Sequence, residues 1–335
     1  MTPRYLLKRF GQALLTFFVT ITVSFVLYQA MPGGPVEAMR SVILSQSGST
    51  SIDIDRLNTL IQLYTNVNPD QPVYVQYLNY LRDVVLYQDL GRSFFKNEAV
   101  TTLILQRLPW SMFISLYAFA LGYSLSIILG VLTAYKEKSR FDSGVSSVVI
   151  ALNSVPYYIV GVVLIYFLAI KQSYFPVGGR LGSGIPVGYN PEFMISIVKH
   201  AALPALSMGV LATSAALSMR GNAIRILGED YVRVAQLRGL RDTRIATQYL
   251  GHNAILPMYT QFMIGIAGVF SSAVIVEEVF AYPGMGLLMF EAVKTQDYPL
   301  LMGTLIVFTA ISLTAIFVAD LTYSLIDPRI SVDES

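Results

Sequence analysis

Six stretches of the chain are long and predominantly apolar: Gly11–Met31, Met112–Tyr135, Val145–Ile170, Ala201–Met219, Met258–Val276 and Leu301 to about Ile326. A helix needs roughly 20 such residues to cross a hydrocarbon core, so the pattern predicts an all-α membrane protein with six transmembrane helices. An even number of spans puts both termini on one side. Arg4, Lys8 and Arg9 precede the first stretch, as in a signal peptide. Its apolar run is too long for one, and its exit, Met31-Pro32-Gly33-Gly34-Pro35, lacks a small-x-small cleavage pattern, so it reads as a retained helix.

Two polar intervals depart from this rhythm. Between the first two spans lie residues 32–109, where Val73-Tyr74-Val75-Gln76-Tyr77-Leu78-Asn79-Tyr80-Leu81 carries apolar residues at a helical period and Ser45 to Ser51 reads as a loop. This interval is expected to form a small external subdomain. Between the fourth and fifth spans, residues 220–257 contain Glu229-Asp230-Tyr231-Val232-Arg233-Val234-Ala235-Gln236-Leu237-Arg238-Gly239-Leu240. Tyr231, Val234, Ala235 and Arg238 fall at i, i+3, i+4 and i+7, on one helix face. Asp230 is expected as N-cap and Gly239 as the left-handed terminator. Asp242 or Thr243 can cap a second helix, and Pro257 marks the start of the fifth span. Such a face fits a shallow groove on a partner, and equally a helix lying at the lipid interface. Periodicity alone leaves both open.

The domain division that follows is 1–31, N-terminal transmembrane helix; 32–109, external subdomain; 110–326, five-helix core; and 327–335, tail.

Composition agrees with a bilayer setting: 54% of residues are apolar and 13% charged, with a mean hydropathy of +0.57. Formal net charge is only +2, which offers no basic surface for nucleic acid. The distribution of charge says more than its sum. Arg4, Lys8 and Arg9, then Lys136, Lys138 and Arg140, then Arg220, Arg225, Arg233, Arg238, Arg241 and Arg244 lie in alternate connections. By the positive-inside rule that face is cytoplasmic, with both termini. Residues 32–109 hold six basic and seven acidic residues, so they carry little bias. The third connection, with Lys171, Arg180 and Lys199, supports the assignment only weakly.

Catalytic chemistry has little to work with. There are no cysteines and two histidines, His200 and His252, and neither a phosphate-loop motif nor a His-Glu-x-x-His pair occurs. Gly284-x-Gly286 lacks a βαβ setting and reads as a turn after the fifth span. Asp320, Glu277 and Glu278 sit near span ends, where water or headgroups would relieve the cost of their charge. Within the spans, Asn153, Ser154 and Pro156 mark a bend that faces protein or a cavity. Ser207, Thr213 and Ser214, and Gly265, Gly268, Ser271 and Ser272, are small residues of the kind found at membrane helix contacts. Asn153, Tyr157, Ser207 and Ser271 are the candidates for lining a pathway through the membrane.

The cytoplasmic interval resembles the EAA-type loop of ABC importer permeases, and the chain as a whole resembles the branch that takes up dipeptides and oligopeptides. Carrying the resemblance in order are Tyr5-Leu6-Leu7-Lys8-Arg9, Met31-Pro32-Gly33-Gly34-Pro35, Asp89-Leu90-Gly91-Arg92-Ser93 and Arg107-Leu108-Pro109. After the glycine turn follow Glu277-Glu278-Val279-Phe280, Tyr282-Pro283-Gly284-Met285-Gly286, Asp297-Tyr298-Pro299 and Asp327-Pro328-Arg329-Ile330. Two departures stand out. The leading Glu-Ala-Ala is represented by Arg233, Val234 and Ala235, and the frame before the Leu-Pro reads Tyr249-Leu250-Gly251-His252-Asn253 in place of His-Ala-Leu-Arg-Asn.

The resemblance implies a type I ABC importer permease fold in the cell (plasma or inner) membrane. It implies a pore-forming subunit that pairs with a second homologous permease, two ATP-binding subunits and an extracellular or periplasmic substrate-binding protein. ATP and Mg would be bound by the partner ATPases, so the chain itself would hold no cofactor and be no enzyme. Asp230, Tyr231, Val234, Ala235, Arg238 and Gly239 would couple to the ATPase. Peptide is the expected substrate class; oligosaccharides and nickel chelates are carried on the same architecture. A secondary carrier, the other functional class, should show unwound helices and buried ionisable groups at the bilayer midplane, of which Asn153 and Pro156 are the main trace.

Overall fold

The computed structural model describes residues 3–30, 54–65, 68, 71–241, 244–251, 253–255, 258, 265 and 274–326. The expectations placed on Met31–Pro35, Ser45–Ser51, Asp242, Thr243, His252, Pro257, Gly268, Ser271, Ser272 and the 327–335 tail fall outside the described residues, as does the side chain of Asp320.

In chain order the helices are α1 (Pro3–Gln29), α2 (Ile54–Thr65), α3 (Val73–Leu86), α4 (Val100–Tyr135), α5 (Arg140–Ser154), α6 (Tyr157–Leu164), α7 (Pro191–Ala212), α8 (Ser214–Leu227), α9 (Asp230–Leu237), α10 (Met285–Thr295) and α11 (Tyr298–Ile326). Two wider π-type turns, Ile165–Lys171 and Ile245–Gly251, continue α6 and follow α9. Among the described residues, four helices are long and apolar enough to cross a membrane: those containing Leu6–Leu27, Val100–Tyr135, Pro191–Val210 and Tyr298–Val318. A fifth crossing arises if α5 with α6 and its π-type extension is counted as one broken span. Most of the stretch expected as the fifth span, Met258–Val276, lies outside the described residues.

Four spans differ from the hydropathy reading. The first begins at Pro3, ahead of the expected Gly11. The second begins at Val100 and runs through Pro109, 36 residues in all; proline deletes one intrahelical donor, which a long helix tolerates. The third is not continuous. Pro156 cannot donate, Val155 turns extended, and the two halves meet at 101°. The fourth begins at Pro191, because Asn190 accepts a hydrogen bond from Phe193 N at 2.8 Å and Pro191 occupies the first turn. It breaks at Thr213, where α8 takes over.

The chain divides into two compact units. The first, residues 1–109 and 287–317, has a core of Ile21 and Phe25 from α1, Tyr80 and Val84 from α3, and Ile306 from α11. Polar links reinforce it: Tyr77 and Thr22 hydroxyls meet at 2.7 Å, and Gln29 donates to Gln76 at 2.7 Å. Two of the family-like motifs converge here, since Ser93 Oγ donates to the buried Asp297 carboxylate at 2.5 Å. Lys96 pairs with Glu291 at 3.0 Å.

The second unit, residues 110–286 and 318–335, contains α5 to α9. One apolar cluster in it joins Ile114, Ala201, Leu203, Met208, Phe280 and Tyr282. Another joins Phe119, Val131, Met219, Ala223, Val232, Ala235, Ile245 and Leu250, and it seats the segment considered next.

Candidate functional site: the segment from Arg220 to Gly251

Alternation of polar and apolar side chains makes α9 a short amphipathic helix. Glu229, extended at φ −78° and ψ 142°, is its N-cap without a side-chain capping bond, so Asp230 stands in the first turn instead of at the cap, where its carboxylate favours the positive end of the helix dipole. Gly239, at φ +70°, closes the helix in the left-handed region as expected. Its N–H donates to Gln236 O at 2.9 Å while Leu240 N donates to Ala235 O at 3.3 Å, the paired bonds of a Schellman motif. Arg241 O then accepts from Arg244 N at 2.9 Å and from Ile245 N at 3.1 Å, and the π-type turn begins.

The helix has two faces. Val232 and Ala235 are buried, packed with Ile245, Ala246 and Leu250 of the π-type turn and with Met219 and Ala223 of α8. Ala235, assigned by periodicity to the same face as Tyr231, is only 2% exposed, and its smallness admits the helix to its seat. Tyr231, Val234, Leu237 and Arg238 point outward, Val234 at 48% and Leu237 at 81% exposure. The Tyr231 ring lies nearly parallel to Tyr249, 6.4 Å between centroids, and partial burial raises its phenol above the usual value. The outward face is therefore apolar at the centre and basic at the end.

Beneath this helix an ion pair ties α8 to α5. Arg220 donates from Nε to Asp142 Oδ1 at 2.6 Å and from Nη2 to Oδ2 at 2.7 Å. Asp142 also accepts from Lys138 N at 3.0 Å and is contacted by Ser146 Oγ at 3.4 Å, while Ser139 Oγ caps its backbone N–H at 3.1 Å. The hydrogen bonds to Asp142 push the Arg220 guanidinium still higher than its ordinary value. Ser139-Arg140-Phe141-Asp142 follows the Ser-x-x-Asp pattern of a helix start, a local signal that hydropathy alone does not carry. Pairing with a partner 78 residues away leaves no local trace.

The pathway candidates are partly brought together. Asn153 Nδ2 donates to Thr213 Oγ1 at 2.9 Å, joining the break between α5 and α6 to the break between α7 and α8. Ser207 is fully buried and donates to Tyr157 O at 2.6 Å, joining α7 to α6.

Elsewhere in the same unit, Glu277 is not relieved by water as its position near a span end implied. It is buried, accepting from Ser111 Oγ at 2.5 Å and from Gly286 N at 2.7 Å. A Cβ on Gly284 would collide with that carboxylate, so the Gly-x-Gly turn is shaped by the close approach of a buried side chain. Among the described residues no group of three or more His, Asp or Glu side chains is gathered for a metal ion.

Residues 126–332, more than half the chain, match the family described as binding-protein-dependent transport system inner membrane component. The chain belongs to this family. Residues 2–116 of this inner membrane component match the companion family of its N-terminal part. It is 28% identical over 340 residues to the di/tripeptide transport system permease protein DppB of Pseudomonas aeruginosa (strain UCBPP-PA14), covering 97% of this chain and 98% of that one. It is 30% identical over 332 residues to the oligopeptide transport system permease protein AppB of Bacillus subtilis (strain 168), covering 97% and 98%. A chain of the MetNI methionine ABC transporter, in an inward-facing crystal form, superposes with a TM-score of 0.53 at 14% identity over 67% of this chain and 96% of its own. That likeness shows the fold: an all-α permease of the type I ABC importer class. With its apolar helices, this inner membrane component is an integral membrane protein.

Proposed function

We propose that this chain is a pore-forming permease subunit of an ATP-driven, binding-protein-dependent importer of dipeptides or oligopeptides. The observation that carries the reading is α9: a short helix seated on a buried apolar core, closed by a left-handed glycine, with Tyr231, Val234 and Arg238 turned outward. A rigidly seated helix with an apolar centre and a basic end fits a groove on a soluble partner. ATP is hydrolysed by two separate subunits that bind the nucleotide and Mg. Their closure pushes α9, and the push opens the membrane pathway alternately to either side. A second homologous permease completes the pore, a binding protein delivers substrate from outside, and both termini lie in the cytoplasm. Asn153 and Tyr157 line the route, with Ser207 holding the Tyr157 backbone in place. The names of the full-length relatives favour peptides over oligosaccharides or nickel chelates.

Val234→Asp and Arg238→Glu test the coupling assignment. Both variants should insert normally, lose copurification with the ATPases and lower uptake about tenfold. Wild-type association and uptake in both would reject α9 as the docking element. Competition by di- and tripeptides, against maltodextrins and nickel–histidine complexes, assigns the substrate class.

A further inference from the structure

We infer that Asp142 and Arg220 are positioning residues that join α5, α8 and α9 into one lever, so that a push on α9 reaches the elbow at Pro156 without being absorbed by helix slippage. The inference rests on the coupling reading and adds the transmission element to it.

The geometry gives the lever two ties. At one end of α5 the Asp142 carboxylate meets the Arg220 guanidinium as a two-bond fork, with the Asp142 side chain 5% exposed. A planar fork fixes orientation as well as distance, which a single charge contact does not. At the other end Asn153 bonds Thr213. Because 142 pairs with 220 and 153 with 213, α5 and α8 run antiparallel and are held at two separated points. Val232 and Ala235 of α9 pack into the same cluster as Met219 and Ala223 of α8, so α9 is fixed to the pair through apolar contact. Both breaks in the surrounding helices, at Val155–Pro156 and at Thr213, lie at the distal end of this body. These are the points where the backbone ladder is already interrupted and rotation costs least. Asp142 also caps its own helix start through Lys138 N, so the charge that holds Arg220 is itself held in place.

The test uses the complete transporter in proteoliposomes: this subunit, the second permease, the ATPases and the binding protein, with ATP hydrolysed and substrate accumulated measured on the same vesicles. Asp142→Asn and Arg220→Gln should keep ATPase association and lower transport per ATP at least fivefold. Arg220→Lys, which keeps the charge but loses the fork, should lower it two- to fivefold. Since the chain has no cysteines, the pair Asp142→Cys with Arg220→Cys can be bridged by a short bifunctional thiol reagent, and bridging should bring transport per ATP back to within twofold of wild type. A wild-type ratio in the single variants, or a bridge that blocks uptake, overturns the inference. Failure of Arg220→Lys to assemble also overturns it, by making the pair a requirement of folding instead of transmission. These outcomes are separate from those for Val234→Asp, where loss of the coupling reading appears as undiminished ATPase association.

Discussion

Gly239 concentrates several demands in one position: a left-handed backbone, two closing hydrogen bonds, and a turn that aims the next segment back toward the core. A β-branched residue there is strained by about 1 kcal/mol or more. Among the described residues no atom beyond its chain neighbours lies within 4 Å of the added Cβ, so the penalty is conformational. Gly239→Val should therefore leave insertion intact, loosen α9 and lower uptake. Gly228→Ala is the control, since that backbone is right-handed and among the described residues the Cβ meets Arg225 O at an ordinary 3.5 Å. Equal uptake by the two variants, measured against equal membrane abundance, would remove the argument from Gly239. Gly284 makes the opposite case. Its Cβ would strike the Glu277 carboxylate, so Gly284→Ala should lower the thermal stability of the purified subunit in detergent. The paired variant Gly284→Ala with Glu277→Gln should recover little, because the amide occupies the same space.

At the scale of elements, what was legible depended on whether the signal was local. The start and stop of α9 follow from side-chain chemistry within a dozen residues, and the left-handed glycine at its end was read correctly. The cap fell at Glu229 and not Asp230, since the extended backbone at Glu229 already lets the chain turn without a side-chain bond. Ala235 was assigned to the outward face because four positions at helical spacing span more than one narrow stripe; the core beneath, built from α4, α8 and the π-type turn, decides which edge is buried. The hydropathy pattern matches α11 closely, whereas α1 starts at Pro3, eight residues before the expected Gly11, across the basic Lys8 and Arg9. It also misses the early starts of α4 and α7, whose first turns are too polar to score as membrane although Asn190-Pro191-Glu192 signals a helix start. The ties Asp142–Arg220, Asn153–Thr213 and Glu277–Ser111 connect residues 60 to 166 positions apart, and pattern reading has no access to them. The orientation of these elements in the bilayer rests on charge. Lys138→Cys, at an exposed side chain, should react with an impermeant maleimide only after permeabilisation, and Ser183→Cys should react from outside. External labelling of Lys138→Cys would invert the orientation.

For the whole molecule, the proposed role makes this chain one part of a larger assembly. Many large side chains remain exposed on helices that belong in a membrane, among them Leu15 and Leu27 on α1, Leu116 and Ile128 on α4, and Val162 on α6. Lipid covers such surfaces, and in the proposed assembly so does a second helix set of the same kind. In the proposed importer the conformational cycle is driven by ATP hydrolysed on other subunits. In the same proposal the pathway forms between two permeases, and one alone does not close it. Proteoliposomes containing this subunit alone should therefore neither hydrolyse ATP nor accumulate peptide. Adding the ATPases without the second permease should still give no accumulation, since the proposed pathway would then have one wall. Only the full set, with the binding protein present outside, should concentrate peptide at the expense of ATP. Uptake by the lone subunit under a proton or sodium gradient would instead place the driving force inside this chain, and the buried carboxylate of Glu277 would then be the first residue to replace.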